Sequence, residues 1–123
     1  MEIPDSVTSI GDATFAWCSS LTRVVIGDSV TSIGVSVFFG CSSLTSITVS
    51  ENNAAYKSID GNLYSKDGQT FIQYTKGKTE TSFTIPDSVT SIGVEAFRDC
   101  SSLTSVVIGD SVTSIGNYAF YEC

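Results

Sequence analysis

Histidine is absent from the 123 residues, and lysine and arginine together number only six. Without histidine the chain has no ready general base near neutral pH, lacks the commonest metal ligand, and forms neither a Ser-His nor a Cys-His catalytic pair. Six basic residues against 13 acidic ones give a formal net charge of −7. A chain of that sign with no basic cluster is repelled by phosphate backbones and anionic headgroups, so neither nucleic acid nor a membrane surface is expected as a partner. No apolar run approaches the roughly 18 to 20 residues of a membrane span, so no membrane insertion is expected either. The start, Met1-Glu2-Ile3-Pro4-Asp5, has no charged or apolar leader region, and no signal peptide is visible. There is no Asn-x-Ser/Thr sequon, which removes N-glycosylation. Nor is there a nucleophile elbow, a phosphate loop or a carboxylate pair set apart from the repeating ones. The chain is read as a non-enzyme with no catalytic residue, no metal and no cofactor.

What is present is a repeat. The string DSVTSIG occurs four times, at Asp5 to Gly11, Asp28 to Gly34, Asp87 to Gly93 and Asp110 to Gly116, and CSSLT follows from Cys18, Cys41 and Cys100. The period is 23 residues, except that Cys41 and Cys100 lie 59 apart, which is 23 plus 36, so one unit carries 13 extra residues. The units are 3–25, 26–48, an irregular 49–84, 85–107 and a partial 108–123. A unit of 23 residues buries too little apolar surface to offset the entropy of fixing its own backbone. Stacked units share interior and strand hydrogen bonds, so the expected architecture is a solenoid.

Within a unit, Leu21, Val24 and Ile26 point inward from a strand of period two, as do Leu44, Ile47, Val49 and Leu103, Val106, Ile108. Gly27-Asp28, Pro86-Asp87 or Gly109-Asp110 makes a turn. A second short strand, Val-Thr-Ser-Ile, ends at Gly11, Gly34, Gly93 or Gly116, each expected to supply a positive φ or a close backbone approach. Phe15, Phe38, Phe97 and Phe120 each stand three positions before a cysteine, the spacing of one helical turn, which predicts a short helical or 3₁₀ turn per coil. The fold class is an α/β repeat, rich in β.

The pattern LxxIxIPDSVTSIGxxAFxxC, seen in Ile85 to Gly93 with Ala96, Phe97 and Cys100, resembles the BspA-like leucine-rich repeats, the 23-residue class also found in Treponema surface proteins. The resemblance covers nearly the whole chain. It implies a right-handed solenoid with a parallel sheet on the concave face, an extracellular or cell-surface setting in host-associated bacteria and some protists, and adhesion to host or matrix proteins.

In unit 49–84 the expectation places Tyr56 and Ile59 at the positions of Val7 and Ile10, with three extra residues in 51–55 and ten between Ile59 and Phe83. Asn62 to Ser65 and Thr70 to Tyr74, joined by Lys66-Asp67-Gly68-Gln69, read as a β-hairpin that replaces the helical turn and the cysteine. Similar segments punctuate arrays of the resembled family, which favours a structural variant repeat. The alternative is a recognition device in which Tyr64, Lys66, Phe71 and Tyr74 contact a partner.

The four cysteines share one interior column. Cys18–Cys41 and Cys100–Cys123 lie within disulfide reach if coils stack about 5 Å apart, whereas the high burial of free cysteine favours a reduced ladder. Asp5, Asp28, Asp87 and Asp110 form a second column, read as Asx-turn caps in preference to a calcium site.

The expected binding surface is the outward strand column: Thr22, Thr45, Thr81 and Thr104; Arg23, Ser46, Ser82 and Ser105; Val25, Thr48, Thr84 and Val107. The leading reading is a protein-binding segment of a secreted or surface protein, an adhesin; the runner-up is a spacer with no ligand of its own. Neither end of the chain shows a polar cap, so an excerpt of a longer array is expected, with end-to-end self-association of its open ends.

Overall fold

The computed structural model describes residues 1–123 as a β-solenoid of about five turns. Each coil contributes a strand of the first column, β2 (Arg23–Ile26), β4 (Ser46–Val49), β8 (Ser82–Thr84) or β10 (Ser105–Val107). A shorter strand of the second column follows, β1 (Ser9–Ile10), β3 (Ser32–Ile33), β9 (Ser91–Ile92) or β11 (Ser114–Ile115). All these columns pair in parallel and in register with the repeat, Val24 opposite Ile47 and Val106 opposite Phe83. Alternation does the rest: Val24, Ile26, Leu44 and Ile47 are at most 1% exposed, while Thr22, Arg23 and Thr48 face out.

The outer turn is not helical. In the first coil Thr14, Ala16 and Cys18 donate their N–H groups three residues back, to Gly11, Ala13 and Phe15, at 3.3, 3.0 and 3.1 Å. The intervening Ala13, Phe15 and Trp17 donate instead to the next coil, to the carbonyls of Val35, Val37 and Phe39 at 3.0, 3.1 and 2.7 Å. A helix would direct all of these donors inward along its own axis. Half of them are claimed by the neighbouring coil, and the chain reaches that arrangement by entering the left-handed region twice in each regular coil, at Ala13, Ser36, Glu95 and Tyr118 and again at Trp17, Gly40, Asp99 and Glu122. The i, i+3 spacing of Phe and Cys thus reports successive β-turns. Gly34 and Gly116 have no positive φ; their role is close approach, since a Cβ there would sit 2.6 Å from the Asp12 nitrogen and 2.5 Å from that of Val94.

The irregular unit holds the hairpin the sequence predicts, β6 (Asn62–Ser65) against β7 (Thr70–Gln73) with Tyr64 opposite Phe71. An additional strand, β5 (Tyr56–Ile59), pairs antiparallel with β6 to make a three-stranded meander, and β7 pairs in parallel with β9. The expected phase is corrected here. Asn53 closes the same turn onto Ser50 that Val7 closes onto Pro4, so Asn53 stands in the valine column. Tyr56, 23 positions after Ile33, stands in the isoleucine column, and Ile59 is exposed. Tyr74 repeats the phenylalanine column, donating its N–H to Ala96 O at 2.9 Å as Phe15 does to Val37. Tyr74 lies 36 after Phe38, so all 13 extra residues fall between Tyr56 and Tyr74.

Asn53 is 1% exposed and fully bonded: its amide donates to Gly27 O and Val30 O, both at 2.9 Å, and its carbonyl accepts from Ala55 N and Tyr56 N, both at 2.8 Å. The meander splits the interior into two cores. One runs from Ile3 to Val49 and ends on Leu63; the other begins on the adjacent Tyr64 and runs through Phe71, Tyr74 and Phe97 to Ala119. The second is aromatic: Phe97 stacks between Phe71 (4.8 Å, 4°) and Phe120 (5.0 Å, 7°).

Candidate functional site

The strand-face residues are where alternation puts them. Thr22, Arg23, Thr45, Thr48, Thr81, Ser82, Thr84, Thr104, Ser105 and Val107 are exposed, and Val25 and Ser46 half-buried. They form two patches, β2–β4 and β8–β10, because the β5–β6 turn packs against β4, where Gly61 O accepts from Ile47 N at 2.8 Å. Four of their hydroxyls are engaged, those of Thr45, Thr104 and the mutually bonded Ser46 and Thr48. Thr45 Oγ1 donates to Thr22 O at 3.2 Å and Thr104 Oγ1 to Thr81 O at 3.0 Å, each tying one coil to the one before.

The hairpin aromatics are core. Tyr64, Phe71 and Tyr74 are 1%, 0% and 2% exposed, out of reach of a partner, because the hairpin turns that face into the second core. Lys66 remains exposed, its ammonium donating to Glu51 O at 3.0 Å. Burial pushes the Tyr64 phenol up to about 12, with the charge of Asp60 adding to it, and Tyr74 likewise, with Glu80 adding.

All four cysteines are free thiols. Cys41 and Cys100 are buried, whereas Cys18 and Cys123, in the end coils, are half-buried and exposed. Cys41 Sγ donates to Phe15 O at 3.1 Å and Cys123 Sγ to Phe97 O at 2.8 Å, the same bond one coil back in both halves. Burial, with Cys123 alongside, lifts the Cys100 thiol to about 12 from an ordinary 9.0. The folded chain therefore holds the Cys100, Tyr64 and Tyr74 protons more tightly than the unfolded chain does. The associated stability is complete below about pH 9 and is lost as pH rises towards 12. The urea midpoint is expected to fall between pH 8 and pH 11; an unchanged midpoint would contradict this assignment.

The aspartate column does not cap. The turns are closed by backbone, Val7 N onto Pro4 O and Val89 N onto Pro86 O, and of the four carboxylates only Asp28 takes a hydrogen bond, from Ser50 of the next coil.

The most anchor-like surface lies elsewhere, on the outer turns. Trp17, 71% exposed, meets Phe39 edge-on at 4.8 Å. Phe39 carries the Lys76 ammonium at 5.2 Å on its ring and the Arg98 guanidinium at 4.5 Å. Arg98 continues to Tyr121 at 5.0 Å and Tyr118 at 5.5 Å, themselves packed at right angles. Glu95 orients Arg98 through an ion pair and accepts a hydrogen bond from Ser36. Burial alone would raise the Glu95 carboxyl, but the bonds from Ser36 and Arg98 and the charge of Arg98 lower it below its ordinary value. The result is a ridge of aromatic and cationic groups crossing every coil, with Trp17, Tyr118 and Tyr121 exposed around a half-buried Arg98, the residue types that dominate interface energetics. Sequence reasoning missed it. The available signal was variation within the repeat: between the constant Phe and Cys the units carry Ala16-Trp17, Phe39-Gly40, Arg98-Asp99 and Tyr121-Glu122.

The sequence pattern of the BspA type leucine-rich repeat region matches the chain in six copies over residues 1–72 and 70–123. A leucine-rich repeat protein from Eubacterium ventriosum is similar in structure with a TM-score of 0.93 at 36% identity, over 98% of this chain and 32% of that one. The pneumococcal vaccine antigen PcpA is similar at 0.82 and 25% identity, over 98% and 36%. A leucine-rich cell surface protein from Faecalibacterium prausnitzii is similar at 0.75 and 33% identity, over 97% and 38%. The chain spans about a third of the length of these three proteins. No curated protein sequence matches it. The repeat, the solenoid and the family pattern agree: the chain belongs to the BspA-type leucine-rich repeat family.

Proposed function

We propose that the chain is a protein-binding segment of a secreted or cell-surface protein, with adhesion to host or matrix proteins as its role. The observation that carries this reading is the outer ridge, where Trp17, Arg98, Tyr118 and Tyr121 stand ready as anchors on a backbone fixed by inter-coil bonds. Preorganisation of this kind lowers the entropic cost of association. The similarity to a leucine-rich cell surface protein supports the location. The strand face contributes small, mildly polar contacts that gain strength only when multiplied along a longer array.

The test is surface binding of the chain to immobilised matrix proteins. Arg98→Ala with Tyr121→Ala is expected to weaken binding by more than about tenfold, since anchor truncations each cost about 1–2 kcal/mol or more. Thr45→Glu with Thr104→Glu reads the strand face separately. The spacer reading draws on the Thr45 and Thr104 hydroxyls, which tie coils together instead of presenting themselves to a ligand. Binding to no matrix protein would favour it.

A further inference from the structure

Beside the ridge the outer turns enclose a cleft of about 320 Å³, and the geometry points to a carbohydrate site there, taking one or two units of a neutral oligosaccharide. The cleft exists because of one residue. Trp17, Gly40, Lys76 and Asp99 occupy the same position in successive coils, and Gly40 alone has no side chain, leaving a gap between the indole and the lysine. A Cβ on Gly40 would fall 2.6 Å from Trp17 Cε3, so the indole rests directly on the glycine backbone, and the φ of +74° suits glycine as well. Trp17 leans towards the second coil through its edge contact with Phe39, and its orientation is set inside this chain.

The opposite wall is a row of serines, Ser19, Ser42 and Ser101. Their backbones are pinned by bonds from each N–H to the carbonyl two residues back, at 2.8, 2.9 and 2.9 Å. Their hydroxyls make no hydrogen bond within the chain, unlike those of Thr45 and Thr104, so each is free to donate to a ligand and accept from it. Lys76 adds a cationic donor and Asp99 an anionic acceptor, which balance.

This combination selects a ligand class. A wide, exposed aromatic face offers stacking to the apolar C–H face of a pyranose ring. Free hydroxyls, one ammonium and one carboxylate match a ring bearing several hydroxyls, each both donor and acceptor. The local charge balance, on a chain of net charge −7, disfavours an anionic ligand. The volume is at the lower end for ligand pockets and suits the end of a glycan chain. The assignment shares Trp17 with the protein-binding reading, which rests also on Arg98, Tyr118 and Tyr121, and the serine wall is what distinguishes the two.

Trp17 is the only tryptophan, so its fluorescence reports on this cleft and on the adjoining ridge. The chain is titrated with lactose, N,N′-diacetylchitobiose and cellobiose. At least one is expected to give a saturable emission change, in the millimolar range common for shallow sites, corresponding to about −4 kcal/mol. Ser42→Ala with Ser101→Ala is expected to raise the half-saturation concentration by about tenfold, with unchanged circular dichroism and matrix-protein binding. No saturable change with any of the three sugars overturns the proposal, as does a double variant that titrates like the parent. A shift of Trp17 emission by a matrix protein alone, with the sugars silent, would assign the cleft to the protein-binding surface and also overturn it.

Discussion

Phe97→Ala is expected to lower the stability of the chain by about 3–5 kcal/mol, the cost of emptying a fully buried aromatic site. Phe97 is 0% exposed and is the hub of the second core: its ring stacks on Phe71 and Phe120 and meets Tyr74 at 5.4 Å and Phe83 at 5.9 Å. Aromatic pairs each add about 0.5–1.5 kcal/mol beyond area burial, so truncation removes several such terms together. Phe15→Ala is the internal comparison. Phe15 is half-buried and has one aromatic neighbour, Phe38, at 6.0 Å, so its loss is expected to cost clearly less. Because solenoid stability is a sum of units and neighbour interfaces, Phe97→Ala should also separate the melting of the second core from the first. Urea unfolding followed by tyrosine and by tryptophan emission reads both halves. Equal losses for the two variants would show that the ring stack adds nothing.

Asn53→Val restores the residue that the repeat places in this column, and by consensus reasoning it should stabilise. The structure predicts the reverse, a loss of about 2–4 kcal/mol. Valine fits the column in shape but leaves four backbone groups unanswered: the carbonyls of Gly27 and Val30, and the N–H groups of Ala55 and Tyr56. A buried polar group stripped of its partner costs about 1–3 kcal/mol, and local relaxation recovers part of the total. Hydrogen exchange gives the sharper readout, with protection of the Ala55 and Tyr56 amides falling first. A variant as stable as the parent would mean that water replaces the side chain fully.

The contrast between these two sites shows what was legible in the sequence. The 23-residue period, the inward columns of Leu, Val and Ile and the Phe and Cys columns follow from pattern because burial in the inner coils enforces them, and the hairpin around Lys66 to Gln69 follows from its turn residues and alternation. The outer turn was misread because local spacing does not say where a backbone N–H goes; the next coil decides that, through bonds such as Phe15 N to Val37 O. The phase of the irregular unit was misread for a related reason, since asparagine in an apolar column looks like a loop residue until its four partners are in place. The hairpin aromatics alternate correctly, but alternation does not name the inner face. The ridge was invisible for lack of distance information: Phe39 and Arg98 are 59 positions apart in the chain and 4.5 Å apart in space.

The two left-handed positions in each regular outer turn carry a wider consequence. Eight residues of seven kinds occupy them: alanine, serine, two glutamates, tyrosine, tryptophan, glycine and aspartate. Left-handed backbone costs roughly 1–2 kcal/mol at a residue other than glycine, and here the ladder between coils, not the side chain, holds it. The scaffold thus accepts varied side chains at these positions, except at Gly40, where a Cβ would fall 2.6 Å from the Trp17 ring. Units that share register and core columns therefore differ mainly in what these outer positions show to their surroundings.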